Sequence, residues 1–391
     1  VIKTIITTTI ASVFREIYGT NAEMIVRSPG RINLIGEHTD YNNGFVLPAA
    51  IDKDARFAIS RRNDNEVHLF AVDYEEWHVT NLSELSAFPN TWPAYILGVV
   101  QQLQQSGYEM HGFNAALSST VPVGAGMSSS AAVECATLFA LNELFGFKIA
   151  KLDMVKMAQK AENEFVGVKC GIMDMFASIY GKKGNAMKLD CRSLHFDYFP
   201  IKLRNSKIVL FDTGVKHSLA SGEYNSRRSE CEQGVTALQQ IYPQVRSLRD
   251  VNPLMISAVL AGKVPGTVLK RCSYVVDEIA RVQEGCEDLK KDDIAAFGKK
   301  MYRTHEGLSR LFEVSCAESD FLVEFVKNEK SVAGARMMGG GFGGCTINIV
   351  QQDAIDDLYE RIKKAYSETY GIDLKMYVTS PEDGTSVVDE E

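Results

Sequence analysis

The chain has 391 residues, 45% hydrophobic and 24% charged, with 42 basic against 50 acidic side chains and a net charge of −8. At roughly 150 residues per domain that length suggests two or three domains, each able to bury a core without staples. The acidic balance argues against a nucleic-acid surface, which needs a basic stripe, and against docking on anionic membranes.

The apolar spacing of Ile5, Ile6, Ile10, Val13, Phe14 and Ile17 predicts a helix over 4–18. Extended chain follows from Met24, with strands at 44–51, 55–61 and 66–73. A stripe of Tyr95, Leu97, Val99, Val100 and Leu103 predicts a helix over 92–105, and 113–120 alternates like a strand. A Gly-rich turn at 122–130 (Pro-Val-Gly-Ala-Gly-Met-Ser-Ser-Ser) enters an apolar helix, 131–145, stopped by Gly146. Helices at 152–166 and 172–180 and strands at 185–190 and 195–199 close the first half. A strand at 207–212 opens the second, followed by helices at 221–241, 269–285, 292–312 and 320–328. A Gly run at 339–344 leads into a strand, helix 353–369 follows, and the acidic tail from Ser380 reads as frayed. No repeat or disordered linker interrupts the chain. The expected division is an N-terminal domain, 1–204, and a C-terminal domain, 205–391.

Eight cysteines, none in a C-x-x-C pair, read as reduced thiols of a cytoplasmic protein, with no structural zinc site. The longest uncharged run, 111–133, holds Pro122, Gly124 and Gly126 and is no membrane span. The Thr-rich N-terminus has no cleavage-like site, so a signal peptide is not expected. Neither G-x-x-x-x-G-K-[ST] nor the H-R-D and D-F-G pair of protein kinases occurs. Gly339, Gly341 and Gly344 match G-x-G-x-x-G, but the strand-like residues after them remove the dinucleotide reading.

Two segments carry chemistry. At 122–135, Gly124 and Gly126 let the backbone approach a ligand, and three serines open a helix. Free N–H groups and the positive dipole end at such a terminus suit a phosphate chain, although a Gly turn with a Ser cap would look the same. No Lys lies in the loop, so anion charge must be met by the dipole, a metal and residues from elsewhere. At 30–51, Arg31, Asn33, Glu37, His38, Asp40, Tyr41, Asn42 and Asn43 crowd a region between apolar strands. Carboxylates and amides clustered this way suit a polyhydroxylated ligand; a solvated loop is the plainer alternative.

Segment 30–51 resembles the signature of the galactokinases. Segment 122–132 resembles the phosphate-binding motif of the wider GHMP small-molecule kinases, and 339–346 resembles their C-terminal motif. Residues 170–174, 189–194 and 217–224 are also galactokinase-like, so the motifs run in family order over nearly the whole chain. The resemblance implies an α/β chain of the α+β type, in two domains with mixed sheets, packed helices and the active site in the cleft between them. It implies transfer of phosphoryl from MgATP to the anomeric C1 hydroxyl of galactose. By this resemblance Arg31 and Asp174 are the catalytic pair, Asp174 taking or orienting the hydroxyl proton. Glu37, His38, Asp40, Gly171, Asp174 and Tyr224 hold the sugar. Gly124, Ala125, Gly126, Met127, Ser128, Ser129 and Ser130 hold the triphosphate, Trp92 lies against adenine, and Ser130 and Glu162 ligate Mg2+.

Met127 replaces a common Leu, and Met175 stands where many members carry Gln, which bears on sugar selectivity. Cys170 and Cys191 read as packing residues, and Lys216, Arg227 and Arg228 as solvated helix charges. The family also includes an inactive sugar- and ATP-binding regulator, but the 128–132 run, Arg31 and Asp174 are intact here, which weighs for chemistry. Another sugar, such as N-acetylgalactosamine, stays open as substrate. A monomer with no protein partner is expected.

Overall fold

The computed structural model describes residues 9–86, 91–215 and 220–389. Three sheets and eleven α-helices are assigned among them, confirming a mixed α/β chain. The first sheet has six strands in the order Ser386–Val387, Met24–Asn33, Pro48–Arg61, Phe113–Ser119, Glu66–Ala71, Glu76–Asn81. Its pairs are antiparallel except Glu66–Ala71 with Phe113–Ser119. The second sheet, all antiparallel, runs Val332–Met337, Cys345–Gln351, Ser206–Asp212, Lys375–Thr379. A small third sheet joins Phe45–Val46, Asn185–Asp190 and Phe196–Pro200.

Most predicted elements appear within a residue or two. The helix Trp92–Gln105 has the predicted bounds, its start favoured by a proline in the first turn, where a missing N–H costs nothing. The first helix is Ile10–Tyr18, with the Thr9 side chain capping Ser12 N–H; residues 4–8 of the predicted span lie outside the described residues. The helix predicted over 152–166 divides: α-helix ends at Ala161 and a π turn, Glu162–Val166, completes it. Such turns widen the helix locally and often sit at functional positions; this one begins at the predicted metal ligand Glu162.

Two differences have clear causes. The strand Glu76–Asn81 is not predicted: it is the outer strand of its sheet, none of its residues is buried, and its apolar alternation is only two residues long, Trp77 and Val79. The tail is not frayed. Val387 and Ser386 pair with Val26 and Arg27, Arg27 donates to the Asp383 carbonyl, and the Ser28 and Thr385 hydroxyls meet at 2.8 Å in full burial. An acidic composition hides a strand whose partners lie about 360 residues earlier (Thr385 is 357 from Ser28).

The site is positioned by the strand Met24–Asn33, which is covered by the helices Ser129–Phe145 and Met173–Tyr180. This strand kinks between Pro29 and Arg31, where pairing with Pro48–Arg61 shifts register. There Arg31 N–H turns to the Met127 carbonyl at 3.0 Å, tying the strand to the Gly–Ser loop.

Candidate active site

Arg31 stands at the centre. Its Nε and Nη2 donate to the two oxygens of Asp174 at 2.8 and 2.9 Å, and Nη1 donates to the Gly126 carbonyl. The fork-to-fork geometry fixes both groups. Burial works against the Arg31 cation, but the charges of Asp174 and Glu37 outweigh it and raise its pKa. Asp174 opens the helix Met173–Tyr180, so its carboxylate also meets the positive end of that helix. The Ser128 hydroxyl donates to Asp174 as well. One cluster therefore links the strand, the Gly–Ser loop and the Asp174 carboxylate.

In the loop Gly126 has φ +74° and Ser128 φ +56°, both left-handed. A Cβ on Gly126 would sit 3.1 Å from the Met338 carbonyl, so the loop lies against the C-terminal Gly motif and a side chain there would be tight as well as strained by the left-handed φ. Met127 and Ala125 are buried beneath it. Ser129 and Ser130 open the helix Ser129–Phe145, whose first N–H groups have no partner within the helix.

On the other side of Arg31 lies a cavity of about 160 Å3. The structure brings to it all the predicted sugar residues, Glu37, His38, Asp40, Gly171, Asp174 and Tyr224, together with Glu162. Glu37 Oε1 accepts from Gly339 N–H at 2.8 Å and from Arg336 at 3.0 Å. Burial raises its pKa, but Arg336 and Arg31 more than offset this and hold the carboxylate below its ordinary range. Burial and the neighbouring Asp174 push Asp40 up to about 6. Burial lowers His38 to about 4, so its ring is neutral; Nδ1 meets the Tyr41 hydroxyl at 2.8 Å, and the ring packs on Phe312 and Tyr224. Gly171 abuts Asp40 so closely that any Cβ would collide with the carboxylate.

Glu162 is buried, and burial together with Asp174 pushes its carboxyl up to about 7 against the pull of the Ser130 hydroxyl. Trp92 is apart from this cluster. It lines a second cavity, about 390 Å3, with Tyr74, Tyr95, Val123 and Ser130, and its indole N–H donates to Glu76. This hollow takes in Ser129 as well as Ser130 of the Gly–Ser turn. Two larger surface hollows, about 1010 and 870 Å3, contain none of these residues.

Some readings change. Cys170 packs against the main core, as read, and also lines the cavity beside Asp174, its Sγ 3.4 Å from Glu162. Cys191 is buried, as expected. Met175 is fully buried behind Asp174 and does not line the cavity. Arg227 and Arg228 donate to carbonyls of Phe312, Glu313 and Lys169 and pair with Glu223 and Glu232, so they fasten the helix Ala220–Gln239 rather than float in solvent. Lys216 lies outside the described residues. Sequence reasoning missed Arg336, which is fully buried and donates to the carbonyls of Leu34, Asn33 and Met337 besides pairing with Glu37. A lone Arg in the apolar strand Val332–Met337 was the available signal. Glu134, in the apolar helix Ser129–Phe145, was missed for the same reason.

Comparison with known proteins accounts for this assembly. Residues 94–182 match the GHMP kinases N terminal domain, 287–368 the GHMP kinases C terminal, and 12–61 the galactokinase galactose-binding signature. The crystal structure of Methanococcus jannaschii mevalonate kinase shares the fold, with TM-score 0.67 at 20% identity over 92% of this chain and 98% of that one. The chain is a GHMP-type kinase. The galactokinase of Thermotoga neapolitana is 41% identical over 93% of this chain and all of its own length, and that of Fusobacterium nucleatum 39% over 96% and 98%. Lactococcus lactis galactokinase, solved with galactose, superposes with TM-score 0.92 at 31% identity, covering 96% of this chain and 98% of that one. Within the GHMP kinases, the chain belongs to the galactokinase family.

Proposed function

We propose that the protein transfers the γ-phosphoryl of ATP to the C1 hydroxyl of α-D-galactose, giving galactose 1-phosphate and ADP, the first committed step of galactose catabolism. The observation that carries this reading is the Arg31–Asp174 pair, set between a polar cavity of sugar size and a Gly–Ser helix start. Full-length relatives that are galactokinases support the substrate pair.

Phosphoryl transfer is mostly positioning and charge stabilisation. Glu37, His38, Asp40 and Tyr224 hold the sugar hydroxyls, with Glu37 prefixed by Arg336 and Gly339. The helix start at Ser129 and Ser130 takes phosphate oxygens, and the hollow at Trp92 takes the base. Arg31 is cationic and stabilises charge on the group in flight. Asp174 accepts the proton of the attacking hydroxyl late in transfer, or orients it, while Ser128 and Arg31 keep its oxygens aimed.

The donors beside the loop fit Mg2+: Ser130 and Glu162 are hard oxygen ligands, and Glu162 is a buried carboxyl that forms no ion pair among the described residues. When bound, the ion neutralises phosphate charge. We place the enzyme in the cytoplasm, where ATP is available and its eight free thiols stay reduced, and read it as a monomer. No described helix is long and apolar enough to cross a membrane. Purified protein given galactose and N-acetylgalactosamine side by side, with ADP formation monitored, tests the reading. We expect turnover with galactose far above that with the acetylated sugar; binding of both substrates without turnover would instead make it a regulator.

A further inference from the structure

Glu134 is a buried acid on the helix that the phosphate loop opens, and the mechanism above does not use it. It is fully buried, and neither of its carboxylate oxygens has a hydrogen-bond partner among the described residues. Buried carboxyls are paired as a rule, because leaving one unmatched costs the fold. A core role alone would be better served by Leu or Met. Glu134 lies four residues after Ser130 on the same helix, hence on the same face one turn on. The charges that act on it are those of Glu162 and then Asp174. Three acids thus gather behind the phosphate loop, with Arg31 already committed to Asp174.

We propose that Glu134 belongs to the cation site of the bound nucleotide, as an acceptor for water on the divalent ion that Ser130 and Glu162 hold. This rests on the MgATP reading above. Among the described residues no three His, Cys, Asp or Glu side chains converge as a direct ligand set, so Glu134 is assigned a water-mediated role and not a direct one. Mg2+ suits that arrangement, since it binds few protein ligands and keeps several waters. Acceptors that orient such waters and ligands typically contribute tenfold to hundredfold in metal affinity. The cation would also supply positive charge to Glu134 and Glu162, since Arg31 is committed to Asp174.

The test compares wild type with Glu134→Gln and Glu134→Met, using the full chain. Mn2+ binding to the complex with a non-hydrolysable ATP analogue is followed by the paramagnetic resonance signal of free Mn2+. Analogue binding in chelator and thermal melting of the free protein are measured in parallel. Both variants should melt at or above the wild-type temperature and bind the analogue equally in chelator. Their Mn2+ dissociation constant should rise about tenfold to hundredfold. A Mn2+ constant within twofold of wild type in a folded variant overturns the inference while leaving the MgATP reading intact. Failure of both variants to fold overturns it too, by making the carboxyl structural. If wild-type analogue binding ignores Mn2+ altogether, the MgATP reading itself falls and the role of Glu134 with it.

Discussion

Glu37 and Arg336, 299 positions apart, form a 3.0 Å ion pair with both side chains almost wholly out of solvent. The pair ties the sugar-side loop to the strand that precedes the C-terminal Gly motif, and Gly339 N–H reinforces it on the same oxygen. Breaking one partner of a buried pair leaves the other charge stranded, at a cost of about 3–5 kcal/mol. Arg336→Met should therefore lower the melting temperature by several degrees and weaken galactose binding more than ATP binding. Calorimetric melting and sugar titration check this. A variant as stable as wild type with normal sugar affinity would mean that Glu37 needs no such clamp.

Asp40 gives a prediction with a pH sign. Burial and Asp174 raise its pKa to about 6 from an ordinary 3.8. A raised acid favours the fold while it is protonated, and that contribution is lost as pH climbs through the folded-state value. Asp40→Asn removes the charge that burial penalises. The melting temperature of the sugar-free variant, relative to wild type, should therefore rise between about pH 4 and pH 7 and level off above. The same variant should bind galactose roughly tenfold to hundredfold more weakly, the value of a charge-assisted hydrogen bond, with ATP affinity unchanged. A flat difference in melting temperature across that pH range would contradict the burial argument.

Local signals made much of this site readable in advance. The Gly–Ser turn and the polar run at 30–43 stand out in sequence because apolar periodicity stops there, and both reach the site. Arg336 and the last strand did not stand out, because what defines them is a partner far along the chain; Glu134 did not, because it is a single acid inside an apolar helical stretch. Arg336 is remote from Glu37, and Val387 pairs with Val26. The π turn at Glu162–Val166 was hidden for another reason: its residues continue an ordinary helical pattern, and only the backbone widens. Burial habits of cysteine gave the packing of Cys170 but not the cavity wall it also forms.

The phosphate loop is tested at Gly126. Its left-handed φ and its closeness to the Met338 carbonyl make a branched side chain there strained and tight. Gly126→Val should abolish ATP binding, since the Gly126 carbonyl also anchors Arg31, while far-ultraviolet dichroism stays near that of wild type. Calorimetric titration with ATP is the measurement. Near-normal affinity in a folded variant would remove the loop from the nucleotide site.

Asp174 decides between catalyst and passive binder. Its two oxygens face Arg31, and Ser128 adds a third donor, so the carboxylate is fixed before substrate arrives. Asp174→Asn keeps the shape but loses the charge and one acceptor. The amide would also present N–H to a guanidinium, so Arg31 would lose its bidentate partner, and melting must be measured alongside kinetics. If Asp174 acts on the proton of the attacking hydroxyl, kcat should fall by about 10²–10⁴ while ATP affinity stays close to wild type. The sugar dissociation constant should rise modestly, because the same carboxylate lines the cavity. A loss confined to the sugar KM would make Asp174 a binding group alone. A folded variant keeping more than about half of wild-type kcat would rule out a central role, since even a weak general base contributes more than that.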